Sequence, residues 1–180
     1  MILCHRKGGE WLTLAAVIAL AYVYGLRVPS ELLKQSSASL WQISANTISY
    51  GPIAHKHRTQ AVNLRRTCVC QRFPALCPHV WARFAKQMLQ AGRSFALAGA
   101  RFNRMFQQLH SEMGEADVRG WTSHAMRRGM ALDVLEEHGL GAMQRAGDWN
   151  SAGAFAYASK EKVEQRLVGE MFAHYSDDDH

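Results

Sequence analysis

Between Trp11 and Tyr24 the chain reads Trp-Leu-Thr-Leu-Ala-Ala-Val-Ile-Ala-Leu-Ala-Tyr-Val-Tyr, without a single charge. A helix written on such a run is apolar all round, has no solvent face, and is buried on most sides. Gly25 stands just beyond it, suited to the left-handed conformation in which helices end. The fold therefore has to supply cover for one central helix. At 180 residues, 48% of them hydrophobic, the chain is long enough for one domain with a proper core and too short for two of average size.

His5, Arg6 and Lys7 precede the run and imitate the charged start of a signal peptide. Against that reading, Glu10 abuts the run, and Tyr22, Tyr24 and Leu26 occupy the places of small cleavage-site residues. The run is also shorter than the roughly 20 apolar residues that span a bilayer. No membrane partner is expected. Cys4 stands alone while Cys68, Cys70 and Cys77 cluster, a poor match for a disulfide framework, and this favours an intracellular, reducing compartment.

Past Gly25, Pro29 suits the first turn of a short helix, with Leu32 and Leu33 inward, and Arg27 lies between two helices. From Leu40 to Cys68 the pattern turns β-branched and alternating, and predicts strands at Leu40–Ser44, Thr47–Tyr50 and Ala61–Leu64, separated by Asn46 and by Gly51-Pro52. The longest connection, Ile53 to Gln60, puts Lys56 and Arg58 near a hairpin tip. Pro78 opens a helix carrying Val80, Trp81, Phe84, Met88 and Leu89, closed by Gly92. Ser94 is read as the cap of the next, with Phe95, Phe102, Met105, Phe106 and Leu109 on one side. Thr122 or Ser123 caps a helix reaching Glu137 and ended by Gly139. Short helices near 140–146 and 152–157 and an amphipathic one over Lys160–Phe172 complete the series. The expected fold is α+β: one mainly helical domain over residues 1–180, ordered from about 11 to 172, with a small antiparallel sheet near 40–66 and an acidic tail over 173–180.

Lys plus Arg outnumber Asp plus Glu by 21 to 15, a formal charge of +6, and the acidic run Asp177, Asp178, Asp179 leaves the body more basic still. That favours a polyanionic partner, nucleic acid first.

Arg27, Lys56, His124, Arg127 and Tyr157 occur in this order along the frame. Gly25-Leu-Arg-Val-Pro-Ser-Glu-Leu-Leu33 resembles the first-arginine box of the tyrosine recombinases, the phage-integrase family, where a helix ends in Gly-Leu-Arg and an acidic residue and leucines follow. Thr122-Ser-His-Ala-Met-Arg-Arg-Gly-Met-Ala131 resembles their His-x-x-Arg box. Ala146-Gly-Asp-Trp-Asn-Ser151 resembles the Gly-His/Trp box, and Phe155-Ala-Tyr-Ala158 the nucleophile box. The resemblance runs in the family's order from about Trp11 to Val168. It departs in three places. Glu31 lies four residues after Arg27 rather than three, as if Pro29 were a local insertion. Trp149 lies eight residues before Tyr157 and Asp148 nine; the family's spacing favours the Asp148 slot, but indole chemistry favours Trp149, which we take. Only about ten residues precede the first predicted helix, so the family's N-terminal clamp domain is expected to be absent.

The resemblance implies a DNA strand transferase working through a covalent 3′-phosphotyrosine, on double-stranded DNA, as a homo-oligomer, without a cofactor. Tyr157 is then the nucleophile, Arg27 and Arg127 bind the scissile phosphate, Lys56 is the general acid, His124 is general base or phosphate ligand, and Trp149 orients the phosphate through its indole N–H. It implies DNA-associated localisation, in the nucleus of a eukaryote or the cytoplasm and nucleoid of a prokaryote, and origin in a mobile element. Taken singly, Arg27 also reads as a helix-end cation or a partner of Glu31, His124 as a surface histidine, and Tyr157 as packing. Two alternatives compete: an inactive DNA-binding remnant, and a structural module stapled by zinc. The second rests on Cys68-x-Cys70-x6-Cys77-x-His79, three thiols and an imidazole of the kind tetrahedral zinc takes, although not at the usual Cys-x-x-Cys spacing.

Overall fold

In the computed structural model, which describes residues 1–53, 62–95, 97–147 and 149 (backbone alone at 2, 52, 53 and 62), the apolar run is helical. A short helix α1 (Ile2–Lys7), unanticipated from the sequence, comes first, and α2 (Glu10–Tyr24) carries the run itself. Leu14, Val17, Leu20 and Tyr24 are fully buried along α2, and each large apolar side chain so covered contributes about 2 kcal/mol. The described residues form an α+β fold, mainly helical, with one three-stranded antiparallel sheet. They divide into two compact units, one from Met1 to Met126 and one beginning at Arg127. None of their helices is long and apolar enough to cross a membrane.

The end of α2 is built as the sequence predicts. Gly25 is left-handed (φ 63°, ψ 33°), its N–H donates to the Tyr22 carbonyl, and the Leu26 N–H donates back to Ala21 at 2.9 Å. This pair of bonds closes the helix and turns the chain sharply. The Arg66 guanidinium caps the same end, donating to the Val23 carbonyl at 2.7 Å. Next comes a π-helical turn, Val28–Leu32, in which the Leu33 N–H reaches the Val28 carbonyl at 2.9 Å. A π turn holds one residue more than an α turn, and Pro29 lies within it.

In the sheet, β1 (Trp41–Ile43), β2 (Thr47–Ile53) and β3 (Val62–Thr67) pair in sequence order, with Trp41 opposite Tyr50 and Tyr50 opposite Leu64. Gly51-Pro52 does not separate strands as expected. It sits inside β2 at a register shift between Tyr50 and Ile53, where Gly51 adopts φ 144°. The β1 pairing stops at Tyr50, so Pro52 has no ladder bond to lose on that side. The expected hairpin tip with Lys56 and Arg58 lies outside the described residues.

Helix α3 (Pro78–Gln90) begins at the predicted proline, with Trp81, Ala85 and Met88 inward. The next helix, α4 (Gly99–Glu112), has Ala98 at its N-cap and starts well after Ser94, which is exposed. Phe95 and Leu97 are both buried ahead of it, and the Leu97 N–H donates to the Phe95 carbonyl, a contact between residues two apart that a helical turn does not make. Helix α5 (Ala125–Ala146) is broken at Gly139 (φ 78°, ψ 179°), the residue expected to end it, and resumes to Ala146. In the second unit Ala131, Leu135, Leu140 and Met143 form a core flanked by Trp149. The helices expected over 152–157 and 160–172, the tail over 173–180, and Asp148 lie outside the described residues.

Candidate functional site

Arg27 leaves α2 between Leu26 and Val28, both buried, and in this extended stretch the alternation sends its own side chain outward. Glu31 then holds it twice. One carboxylate oxygen accepts the Arg27 backbone N–H at 2.7 Å, and the other accepts from Nη1 at 3.0 Å. The two side chains differ in exposure, 40% for Arg27 and 7% for Glu31. One edge of the guanidinium is thus anchored while the rest meets solvent, where an anionic oxygen can be bound. The pairing of Arg27 with Glu31 is what the structure displays.

Behind Glu31 stands a supporting network that the sequence reading missed. The Tyr50 hydroxyl donates to the Glu31 carbonyl at 2.6 Å, and the Trp41 indole N–H donates to Gln35 Oε1 at 2.9 Å. Trp41 and Tyr50 pack at 4.5 Å between centroids, and the Tyr24 hydroxyl donates to the Ile48 carbonyl at 3.1 Å. The visible signal was one polar-tipped aromatic residue on each strand, Trp41 on β1 and Tyr50 on β2, whose N–H and hydroxyl need partners once buried.

His124 precedes α5, at the cap position expected of Thr122 or Ser123, and is exposed. The turn before it is pinned by Asn103 of α4, whose Oδ1 accepts the Ser123 backbone N–H at 2.9 Å. Trp121 stacks on His110 of α4 at 3.5 Å. An Asn in mid-helix, where propensity does not favour it, was the clue to the first contact.

Arg127, in the first turn of α5, is 2% exposed, whereas Arg128 is exposed. Its guanidinium lies over the Trp149 ring, 4.8 Å from the centroid, a cation–π contact that gains strength away from water. The Trp149 backbone N–H donates to the Gln144 carbonyl, in the last turn of α5, at 2.9 Å. Gly147 makes room, since a Cβ there would overlap the indole. The Gly-x-Trp spacing carried that signal. Lys56 and Tyr157 lie outside the described residues.

The third constellation is local. Cys68 Sγ donates to Cys70 Sγ at 3.1 Å; Cys77 Sγ is 2.9 Å from Cys70 and 3.6 Å from Cys68. None of these cysteines is in a disulfide. A ring nitrogen of His79 and the thiols of Cys68 and Cys70 fall within 4.8 Å of one another. Hydrogen bonds to Cys77 and Cys68 push the Cys70 thiol up to about 12. Burial works to raise Cys77, but hydrogen bonds from Cys70, the Val69 and His79 backbone and Cys68 outweigh it and bring that thiol to about 7.

No family model, curated protein or solved structure matches the chain.

Proposed function

We propose that this chain is the catalytic part of a DNA breaking–rejoining enzyme of the tyrosine-recombinase type, derived from a mobile element and acting on duplex DNA as a homo-oligomer. One observation carries the reading: Arg127 and Trp149, nominated by two separate boxes, meet, with the guanidinium buried against the indole. Burying a guanidinium costs free energy that surface placement avoids. A fork held in a fixed plane is what a pentacoordinate phosphate needs.

In the reaction the Tyr157 hydroxyl attacks the scissile phosphorus and gives up its proton to His124. The new Tyr Oη–P bond forms as the P–O5′ bond breaks, and the departing 5′ oxygen takes a proton from Lys56. Arg27 and Arg127 hold the non-bridging oxygens, which gather charge at the transition state. Rejoining is the reverse, with a 5′ hydroxyl attacking the phosphotyrosine. Bond energy is conserved in the linkage, so the exchange needs no nucleotide. A tyrosine hydroxyl has an ordinary pKa of about 10 and is a weak nucleophile at neutral pH without such help.

The test is a library of nicked duplex oligonucleotides, in which cleavage releases a short fragment and traps the covalent complex. The expected result is an adduct that survives detergent, disappears with protease, is abolished by Tyr157→Phe and is kept by Tyr175→Phe. An adduct that persists in Tyr157→Phe would overturn the assignment. Duplex binding that weakens steeply with salt, without an adduct, would select the inactive DNA-binding remnant instead. Neither binding nor adduct would remove DNA from the account.

A further inference from the structure

We infer that Cys68, Cys70, Cys77 and His79 hold one zinc ion in a structural site that ties the end of β3 to the first turn of α3. Such a site is independent of phosphotyrosine chemistry and stands or falls without it.

Geometry carries it. Three sulfurs lie in mutual contact at 2.9, 3.1 and 3.6 Å, well beyond the roughly 2.05 Å of a disulfide bond. Sulfurs bound at about 2.3 Å to a common tetrahedral zinc would sit about 3.8 Å apart, so modest spreading of this triangle admits the ion. A ring nitrogen of His79, within 4.8 Å of the Cys68 and Cys70 thiols, is the candidate for the fourth corner. His79 Nε2 is buried and has no hydrogen-bond partner among the described residues, an arrangement that folded proteins avoid unless an ion or ligand completes it. Thiols that merely hydrogen-bond one another in a connector leave that nitrogen unexplained.

The backbone brings the two halves together by separate means. Cys68 is fixed at the strand end, its N–H donating to the Asn46 carbonyl at 2.9 Å. The chain then turns through a Phe73 N–H to Val69 carbonyl bond of 2.8 Å and a 3-10 turn over Pro74–Leu76. Cys77 arrives at the N-terminus of α3 with His79 in its first turn. The Trp81 indole N–H holds the loop on the helix by donating to the Ala75 carbonyl at 2.7 Å. Cys77 is buried and Cys70 exposed, so the ion has a way in from the Cys70 side. Three thiolates and an imidazole form a soft set that selects zinc over magnesium or calcium. Four protein ligands leave no open position, so the site is structural. Binding replaces the thiol protons with Zn²⁺, releasing up to three protons to the buffer, and no electron is transferred.

The full-length chain, purified under reducing conditions, is assayed for metal and then reconstituted with Co²⁺. We expect one zinc per chain, lost from Cys68→Ser and Cys77→Ser, and a drop in melting temperature on chelation that added zinc reverses. Cobalt should give the intense visible bands of tetrahedral thiolate coordination. Because the serine variants can unfold, His79→Cys provides the second arm: it should keep one metal per chain and shift the cobalt bands towards four-sulfur coordination. Zinc near zero in folded wild type, a stoichiometry untouched by the cysteine changes, or a cobalt spectrum unmoved by His79→Cys would each overturn the site.

Discussion

Arg27 and Arg127 are the same residue type nominated for the same task, yet the chain fixes them by opposite means. Arg27 stands half exposed beyond a helix end, oriented by the nearly buried Glu31 carboxylate. Arg127 is buried in the first turn of a helix with an indole plane against it. A carboxylate anchor fixes direction while solvent screens much of its energy. An aromatic plane in a dry site fixes the plane of the guanidinium and depends on that cation being there. Arg27 should therefore tolerate change structurally while losing function, whereas Arg127 should lose both.

The largest expected effect tests this directly. Arg127→Ala should lower the rate of covalent adduct formation by about 10³-fold, with Arg127→Lys recovering little, because an ammonium cannot reproduce the planar fork. Arg27→Ala should lower the same rate by about 10²-fold while changing urea-unfolding stability by less than about 1 kcal/mol. Equal stability losses at the two arginines would break the contrast. Gly147→Ala, which drives a methyl into the Trp149 ring, should destabilise the second unit by about 2 kcal/mol; tryptophan fluorescence would track the displaced indole. Glu31→Ala should cost about 1.5 kcal/mol by freeing the Arg27 backbone and side chain, and should reduce adduct formation less than removal of Arg27 itself. Tyr50→Phe, which takes away the hydroxyl donated to the Glu31 carbonyl, should cost about 1 kcal/mol in thermal or urea unfolding.

Much of the frame was legible because its causes are local. The uncharged run from Trp11, the glycine at 25, Pro78 and Gly139 each act on a turn or two of chain, and the structure has helix, stop, start and break at those places. The misreadings arose where a longer-range demand outweighed a local preference. Ser94 is a good cap in isolation, but Phe95 and Leu97 are buried ahead of α4, and the helix starts only at Gly99. Gly51-Pro52 reads as a strand breaker, but with β1 already finished the sheet absorbs it as an irregularity in β2. α1 was missed because six residues give too short a pattern to recognise, and helices of that length depend on what they pack against.

The candidate sites divide along the same line. The spacing of Cys68, Cys70, Cys77 and His79 lies open in the sequence, as do the glycine that ends α2 and the order of the boxes around Arg27, Arg127 and Trp149. That three thiols touch, that the His79 Nε2 is buried, that Glu31 grips Arg27, and that Trp149 lies on Arg127 were decided only in three dimensions. Hydrophobic period, caps and turns are written within a few residues. Which polar side chains meet, and how dry their surroundings are, depends on packing that joins distant segments, and burial in turn decides whether a charge is a solvated ornament or a placed group.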